Sequence, residues 1–174
     1  MRTLVLGGAR SGKSAFAEKL VGTADCIYVA TARPWPGDTD FDQRIAQHRR
    51  RRPPNWETEE TTDAVTVLAD PPQATVLVDD LGTWLTHTID RRQAWELPRG
   101  TIAAEIDALV STVAAFPADR DLIMVSPEVG MGIIPEHRAG RLFRDEIGAL
   151  NAAIAKTCEQ VAFVIAGQVL WLKH

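Results

Sequence analysis

The sequence predicts an α/β fold, a mostly parallel β-sheet flanked by helices with an antiparallel edge strand at the carboxyl end. Three observations point to it. Short, continuously apolar runs rich in β-branched residues recur along the chain, as in strands buried on both faces of a sheet. Stretches with apolar residues three and four apart lie between them, the pattern of helices with one buried face. The first apolar run ends in a glycine-rich turn that opens a helix. Strands alternating with helices imply right-handed crossovers and parallel pairing.

The elements follow in order. Thr3-Leu4-Val5-Leu6 is the first strand, and Ser14 to Leu20 the first helix, stopped near Gly22. Cys26 to Ala30, Thr75 to Val78, Leu122 to Val125 and Val161 to Ala166 are the next four strands. A helix over Thr101 to Ala115 is carried by Ile102, Ile106, Leu109 and Val113. Another, over Arg138 to Cys158, is carried by Leu142, Phe143, Ile147, Leu150 and Ile154. Gln168 to Lys173 alternates less cleanly and follows Gly167, which predicts the antiparallel edge strand. Two segments break the rhythm: Arg33 to Trp56, with four prolines and a charged helical stretch, and the polar linker Asp90 to Gly100. Neither has the length of a domain, so residues 1–174 read as one domain.

Composition narrows the class. Hydrophobic residues are 45% and charged residues 24% of the chain, ordinary values for a soluble protein. A net charge of −4 gives no reason to expect a nucleic-acid partner. No run approaches the roughly 18 apolar residues of a membrane span, and the first residues do not follow the order of a secretory signal. The expectation is a cytoplasmic protein. Cys26 and Cys158 stand alone, so they read as small buried hydrophobes rather than a disulfide or zinc site.

The strongest signal is Gly7-Gly8-Ala9-Arg10-Ser11-Gly12-Lys13-Ser14, a full GxxxxGK[ST] with a strand before it and a helix after it. The glycines let backbone N–H groups turn inward around phosphate oxygens. The helix that starts near Gly12 aims its positive dipole end at the same place. Lys13 is expected to bridge β- and γ-phosphate oxygens, and Ser14 to ligate Mg²⁺. This makes the chain a P-loop nucleotide-binding domain without saying which reaction it runs. A second carboxylate for the magnesium is expected at the end of another strand. Asp79 is the candidate and Asp80 the second choice; the alternative for Asp79 is a cap on the following helix.

Arg44 to Pro53 places His48 directly before Arg49, Arg50, Arg51 and Arg52. From the residues alone the arginines are a solvated face or an anion-binding patch, and His48 an ordinary histidine or a catalytic one. Four consecutive arginines cannot all face one site on a helix.

Three strings together resemble the adenosylcobinamide kinase/adenosylcobinamide-phosphate guanylyltransferase family: GGARSGKS, RIAQHRRRRPPNW, and EVGMGIIPEHRAGRLFRDEIGALN from Glu128 to Asn151. The resemblance runs from Leu4 to Lys173. It implies phosphorylation of the aminopropanol hydroxyl of adenosylcobinamide, with ATP or GTP as donor. It then implies transfer of GMP from GTP onto that phosphate, with release of pyrophosphate, through a guanylylated histidine. The matching histidine is His48. Resemblance also assigns nucleotide contacts to residues after it (Arg49 to Arg52), to the second strand's end (Ala30, Thr31, Ala32) and to Glu60. A carboxylate at Glu60 would accept N1–H and N2–H of guanine; the alternative is a solvated acidic turn with Glu57 and Glu59. Small homo-oligomers, typically trimers, are implied too. Pro127 stands where the family commonly has Asn or Ser, and Asp80 where it often has Cys.

The Glu128 to Pro135 loop follows a strand end, where open α/β sheets bind ligands. It reads as part of the acceptor pocket or as a structural turn. Arg138, Arg141 and Arg144 face a phosphate or pair with Glu136, Asp145 and Glu146. The competing function is a P-loop small-molecule kinase without nucleotidyl transfer. A GTPase switch would need an Asn-Lys-x-Asp, and the chain has none.

Overall fold

A computed structural model describes residues 1–32 and 52–174. His48, Arg49, Arg50 and Arg51 lie outside the described residues.

The described strands are β1 (Arg2–Gly7), β2 (Cys26–Ala30), β3 (Trp56–Glu59), β4 (Thr75–Asp79), β5 (Leu122–Pro127), β6 (Gln160–Ile165) and β7 (Gln168–Lys173). The helices are α1 (Lys13–Val21), α2 (Ala64–Ala69), α3 (Leu81–Arg91), α4 (Ala103–Ala115) and α5 (Arg138–Thr157). The strands form one sheet in the order β3-β2-β4-β5-β1-β6-β7. Every pair is parallel except β6 with β7. The chain reverses at Ala166 and Gly167, both at positive φ (50° and 75°), so a two-residue turn delivers the antiparallel edge.

Both faces of the sheet are buried, which explains the continuous apolar runs. Leu4 and Leu6 point into the core under α3, α4 and α5. Val5, between them, packs with Ala17 and Val21 of α1 on the other face. Leu4 and Val5 are both fully buried. The central strands show the same alternation, Val76 and Val78 on one face and Leu77 on the other.

Three elements depart from the expectations. β3 pairs with β2 from Cys26↔Trp56 to Val29↔Glu59 and forms the second sheet edge. Its four residues, Trp-Glu-Thr-Glu, carry one apolar side chain, too little for a periodicity to register. α2 has six residues and starts at Asp63, whose Oδ1 accepts from the Val65 N–H at 2.9 Å. α3 enters the segment read as a linker and ends only at Arg91; it buries Leu81, Trp84, Leu85, Thr88 and Ile89 at helical spacing. Its cap is Asp80, which accepts from the Gly82 N–H. The capping alternative considered for Asp79 therefore belongs to its neighbour.

Candidate phosphate-binding site

The site lies at the carboxyl ends of β1, β2, β4 and β5, where parallel strands leave a crevice. The loop from Gly7 to Gly12 turns through two left-handed residues, Arg10 at φ 56° and Gly12 at φ 96°. Phe16 N–H donates to Gly12 O at 2.9 Å, so α1 is wound directly from the loop. Its amino-terminal turn directs the positive dipole end of the helix toward the loop's interior. Lys13 Nζ donates to Gly8 O at 3.4 Å, which folds the ammonium back over the loop.

A feature absent from the motif buttresses the loop. Gly167 N–H donates to Ser11 O at 2.8 Å. A Cβ on Gly12 would approach Gly167 Cα at 3.4 Å. The β6–β7 turn thus holds the loop from outside, and its glycine keeps the approach close. At the loop's start, Glu128 N–H donates to Gly7 O at 3.0 Å, tying the segment after β5 to the same edge.

The end of β4 brings the predicted carboxylate to the predicted hydroxyl: Ser14 Oγ donates to Asp79 Oδ1 at 3.2 Å. Asp79 Oδ2 accepts from the hydroxyl of Tyr28, a residue the sequence reading did not single out. Burial, with the Asp79 charge beside it, pushes the Tyr28 phenol up, so its oxygen stays a donor. Burial, with Asp79 adjacent, raises the Asp80 carboxyl to about 6. Ser14 and Asp79 are hard oxygen donors, the chemistry that suits magnesium. Among the described residues no cluster of three or more His, Cys, Asp or Glu could hold a metal by itself.

The end of β2 is knitted to the same turn. Thr31 N–H donates to Asp79 O at 3.0 Å, and Thr31 Oγ1 accepts from Asp80 N–H at 2.8 Å. Thr31 Oγ1 also meets Thr83 Oγ1. Ala30 and Thr31, expected to touch nucleotide, line a cleft of about 300 Å³ with Thr62, Asp63, Ala64, Trp84, His87 and Arg91. Ala32 follows directly. The walls from α2 and α3 escaped sequence reading because those helices did. The alternation Trp84, His87, Arg91 along α3 was the available signal.

Glu59 and Glu60 separate clearly. Glu59 Oε1 accepts from Thr62 N–H at 2.8 Å, Thr61 N–H at 2.7 Å and Thr61 Oγ1 at 2.8 Å. Those donors, the Thr62 N–H first, hold its carboxyl at about 2. Glu59 is thus spent on the turn after β3; Glu60 follows it directly, two residues before Thr62 of the cleft wall. Arg52 has its guanidinium 3.5 Å from the Tyr28 ring centroid and donates from Nη1 to Thr58 Oγ1 at 2.8 Å. It reaches the site's edge through Tyr28.

The expected pairing of Arg138, Arg141 and Arg144 with the carboxylates of Glu136, Asp145 and Glu146 is replaced by other contacts, among them an Arg138 pair with Glu96. Arg138 donates to Trp95 O and Leu97 O, Arg141 to Pro135 O and Glu136 O, and Arg144 to Gly130 O. They fasten the loops before α4 and α5. Asp145 pairs with Arg99, and Glu146 accepts from Gly100 N–H. Trp56 and Trp84 are buried.

A profile of the cobinamide kinase / cobinamide phosphate guanyltransferase family matches residues 3–172. The chain belongs to this family. It is therefore an enzyme, a transferase of cobalamin biosynthesis. It is 39% identical over 178 residues to the bifunctional adenosylcobalamin biosynthesis protein CobP of Pseudomonas aeruginosa, with 99% of this chain and 98% of that protein covered. It is 35% identical to the CobU protein of the same description from Escherichia coli, with 96% and 97% covered. Among solved structures, an ATPase of a bacterial type III secretion system superposes with a TM-score of 0.57 at 13% identity. That match covers 93% of this chain and 50% of the ATPase, and it shows a likeness of fold alone. Among the described residues no helix is long and apolar enough to cross a membrane.

Proposed function

We propose that this chain phosphorylates adenosylcobinamide on its aminopropanol hydroxyl, with ATP or GTP, and then transfers GMP from GTP to the new phosphate. The products are adenosylcobinamide-GDP and pyrophosphate. The observation that carries the reading is the joining of Ser14 to Asp79 beneath the GGARSGKS loop, within a chain of the cobinamide kinase / cobinamide phosphate guanyltransferase family. Magnesium bound there would neutralise charge on the triphosphate. The loop N–H groups and Lys13 hold the phosphates in line, and the cleft beside Thr31 takes the nucleoside, with Glu60 reading guanine.

In the transfer step an imidazole nitrogen of His48 attacks the α-phosphorus of GTP. A P–N bond forms, the P–O bond to the β-phosphate breaks, and pyrophosphate leaves. A phosphate oxygen of the corrinoid then attacks the same phosphorus, and the P–N bond breaks. Splitting one displacement into two is the benefit of a covalent intermediate. The arginines from Arg49 to Arg52 supply positive charge for these crowded anions. We read the working form as a homo-oligomer, a trimer by resemblance.

The test is protein labelling with α-labelled GTP and Mg²⁺ and no corrinoid. His87, which lines the cleft, provides the control. Acid-labile, base-stable label on wild type and His87→Ala, and none on His48→Ala, is expected. A wild type that binds GTP and takes no label would sink the covalent mechanism and leave a P-loop small-molecule kinase.

A further inference from the structure

The carboxylate of Asp79 has both oxygens engaged: Oδ1 takes the Ser14 hydroxyl and Oδ2 the Tyr28 hydroxyl. The second contact follows from sheet register. Tyr28 on β2 sits opposite Leu77 on β4. Asp79 is the next residue on the same face of β4 as Leu77. A tyrosine is long enough to lie over that neighbour and place its oxygen on the carboxylate. Tyr28 is 1% exposed. Its ring stacks with Trp56 at a centroid distance of 6.3 Å and carries the Arg52 guanidinium above it. Packing, not solvent, therefore fixes the hydroxyl.

A carboxylate that must present one oxygen to a cation's shell gains from having the other held, because rotation about its terminal torsion is otherwise soft. We propose that Tyr28 is a positioning residue: its hydroxyl pins Oδ2 of Asp79, so that Oδ1 stays on Ser14 at the magnesium position. The packing of Arg52 on the same ring keeps the phenol in place. This inference rests on the proposed magnesium role of Asp79.

The experiment measures binding of a fluorescent GTP analogue to the full chain against Mg²⁺ concentration. Wild type, Tyr28→Phe, Asp79→Asn and the double variant are compared, each with its thermal midpoint. Tyr28→Phe keeps the ring that Arg52 and Trp56 pack on and removes only the hydroxyl. The Mg²⁺ concentration for half-maximal binding is expected to rise roughly tenfold, with full binding restored at saturating Mg²⁺. Because both residues act through one carboxylate, the double variant is expected to shift no further than Asp79→Asn alone. If Asp79→Asn shifts the half-saturation point and Tyr28→Phe does not, the positioning role is overturned while the magnesium reading stands. If Asp79→Asn shifts nothing, the magnesium reading falls and the inference with it. A purely structural Tyr28 would lower the thermal midpoint and leave the Mg²⁺ dependence where it was, which also overturns the proposal.

Discussion

Ser14 and Asp79, 65 positions apart in the chain, meet at 3.2 Å across the carboxyl edge of the sheet. Ser14 lies in the first turn of α1 and Asp79 closes β4, so the contact reports that two separate crossovers have delivered their ends to one point. Asp79→Asn keeps the shape and removes the charge. Phosphoryl transfer is expected to fall roughly 100-fold, with the thermal midpoint moving by less than about 4 °C. Steady-state rates and a melting curve on the same sample check this. A wild-type rate would take Asp79 out of the site.

Gly7 and Gly8 are adjacent and should respond very differently to alanine. A Cβ on Gly7 would lie 2.4 Å from Ser11 Oγ and 2.7 Å from the backbone oxygen of Val164. The backbone oxygen belongs to β6, paired with β1, and can yield only if the strands part. Gly7→Ala is expected to destabilise by about 1–3 kcal/mol. At Gly8 nothing lies within 4 Å of the added carbon, and the change is expected to stay within about 1 kcal/mol. Urea denaturation of both variants decides it; equal midpoints would contradict the packing.

Glu159 joins the start of β6 to β1. Its carboxylate pairs with the Arg2 guanidinium and also accepts from the Arg2 N–H at 2.5 Å. The Arg2 side chain, first among the causes, holds the Glu159 carboxyl at about 2, below its ordinary 4.5. A depressed acid stabilises the fold fully above 4.5, and that contribution is lost as pH falls through about 2. The Glu159 side chain is 46% exposed, so screening limits the contribution to about 1 kcal/mol. Glu159→Gln is expected to lower the urea midpoint at neutral pH and to flatten its decline toward about pH 3. An unchanged acid limb would show that the pair contributes nothing.

The two cysteines are buried at 1% and 2% exposure. Burial pushes Cys26 up to about 12 and Cys158 up to about 11. Neither thiol is expected to react with a thiolate-selective reagent at neutral pH until the chain unfolds. Counting reactive thiols before and after denaturant checks this, and rapid reaction of either in the native protein would contradict its packing.

Much of this enzyme is written locally. The GGARSGKS string, the strand before it and the helix after it carry the phosphate loop whatever else the chain does, because turn, helix start and dipole are set within a few residues. Continuous apolar runs marked five strands, since both sheet faces are covered, and the antiparallel tail was readable from Gly167. Asp79 was found as a carboxylate ending such a run. The family was readable from three strings, and the match over residues 3–172 bears that out.

Tertiary structure alone decided the rest. β3 exists as a strand only through its pairing with β2, because four residues with one apolar side chain have no periodicity of their own. The buttress from Gly167 to Ser11, the hold of Tyr28 on Asp79 and the cleft walled by α2 and α3 each join segments far apart in sequence. Such contacts depend on strand order and register. One residue of slip would turn Tyr28 to the other face of the sheet, and no local pattern encodes that.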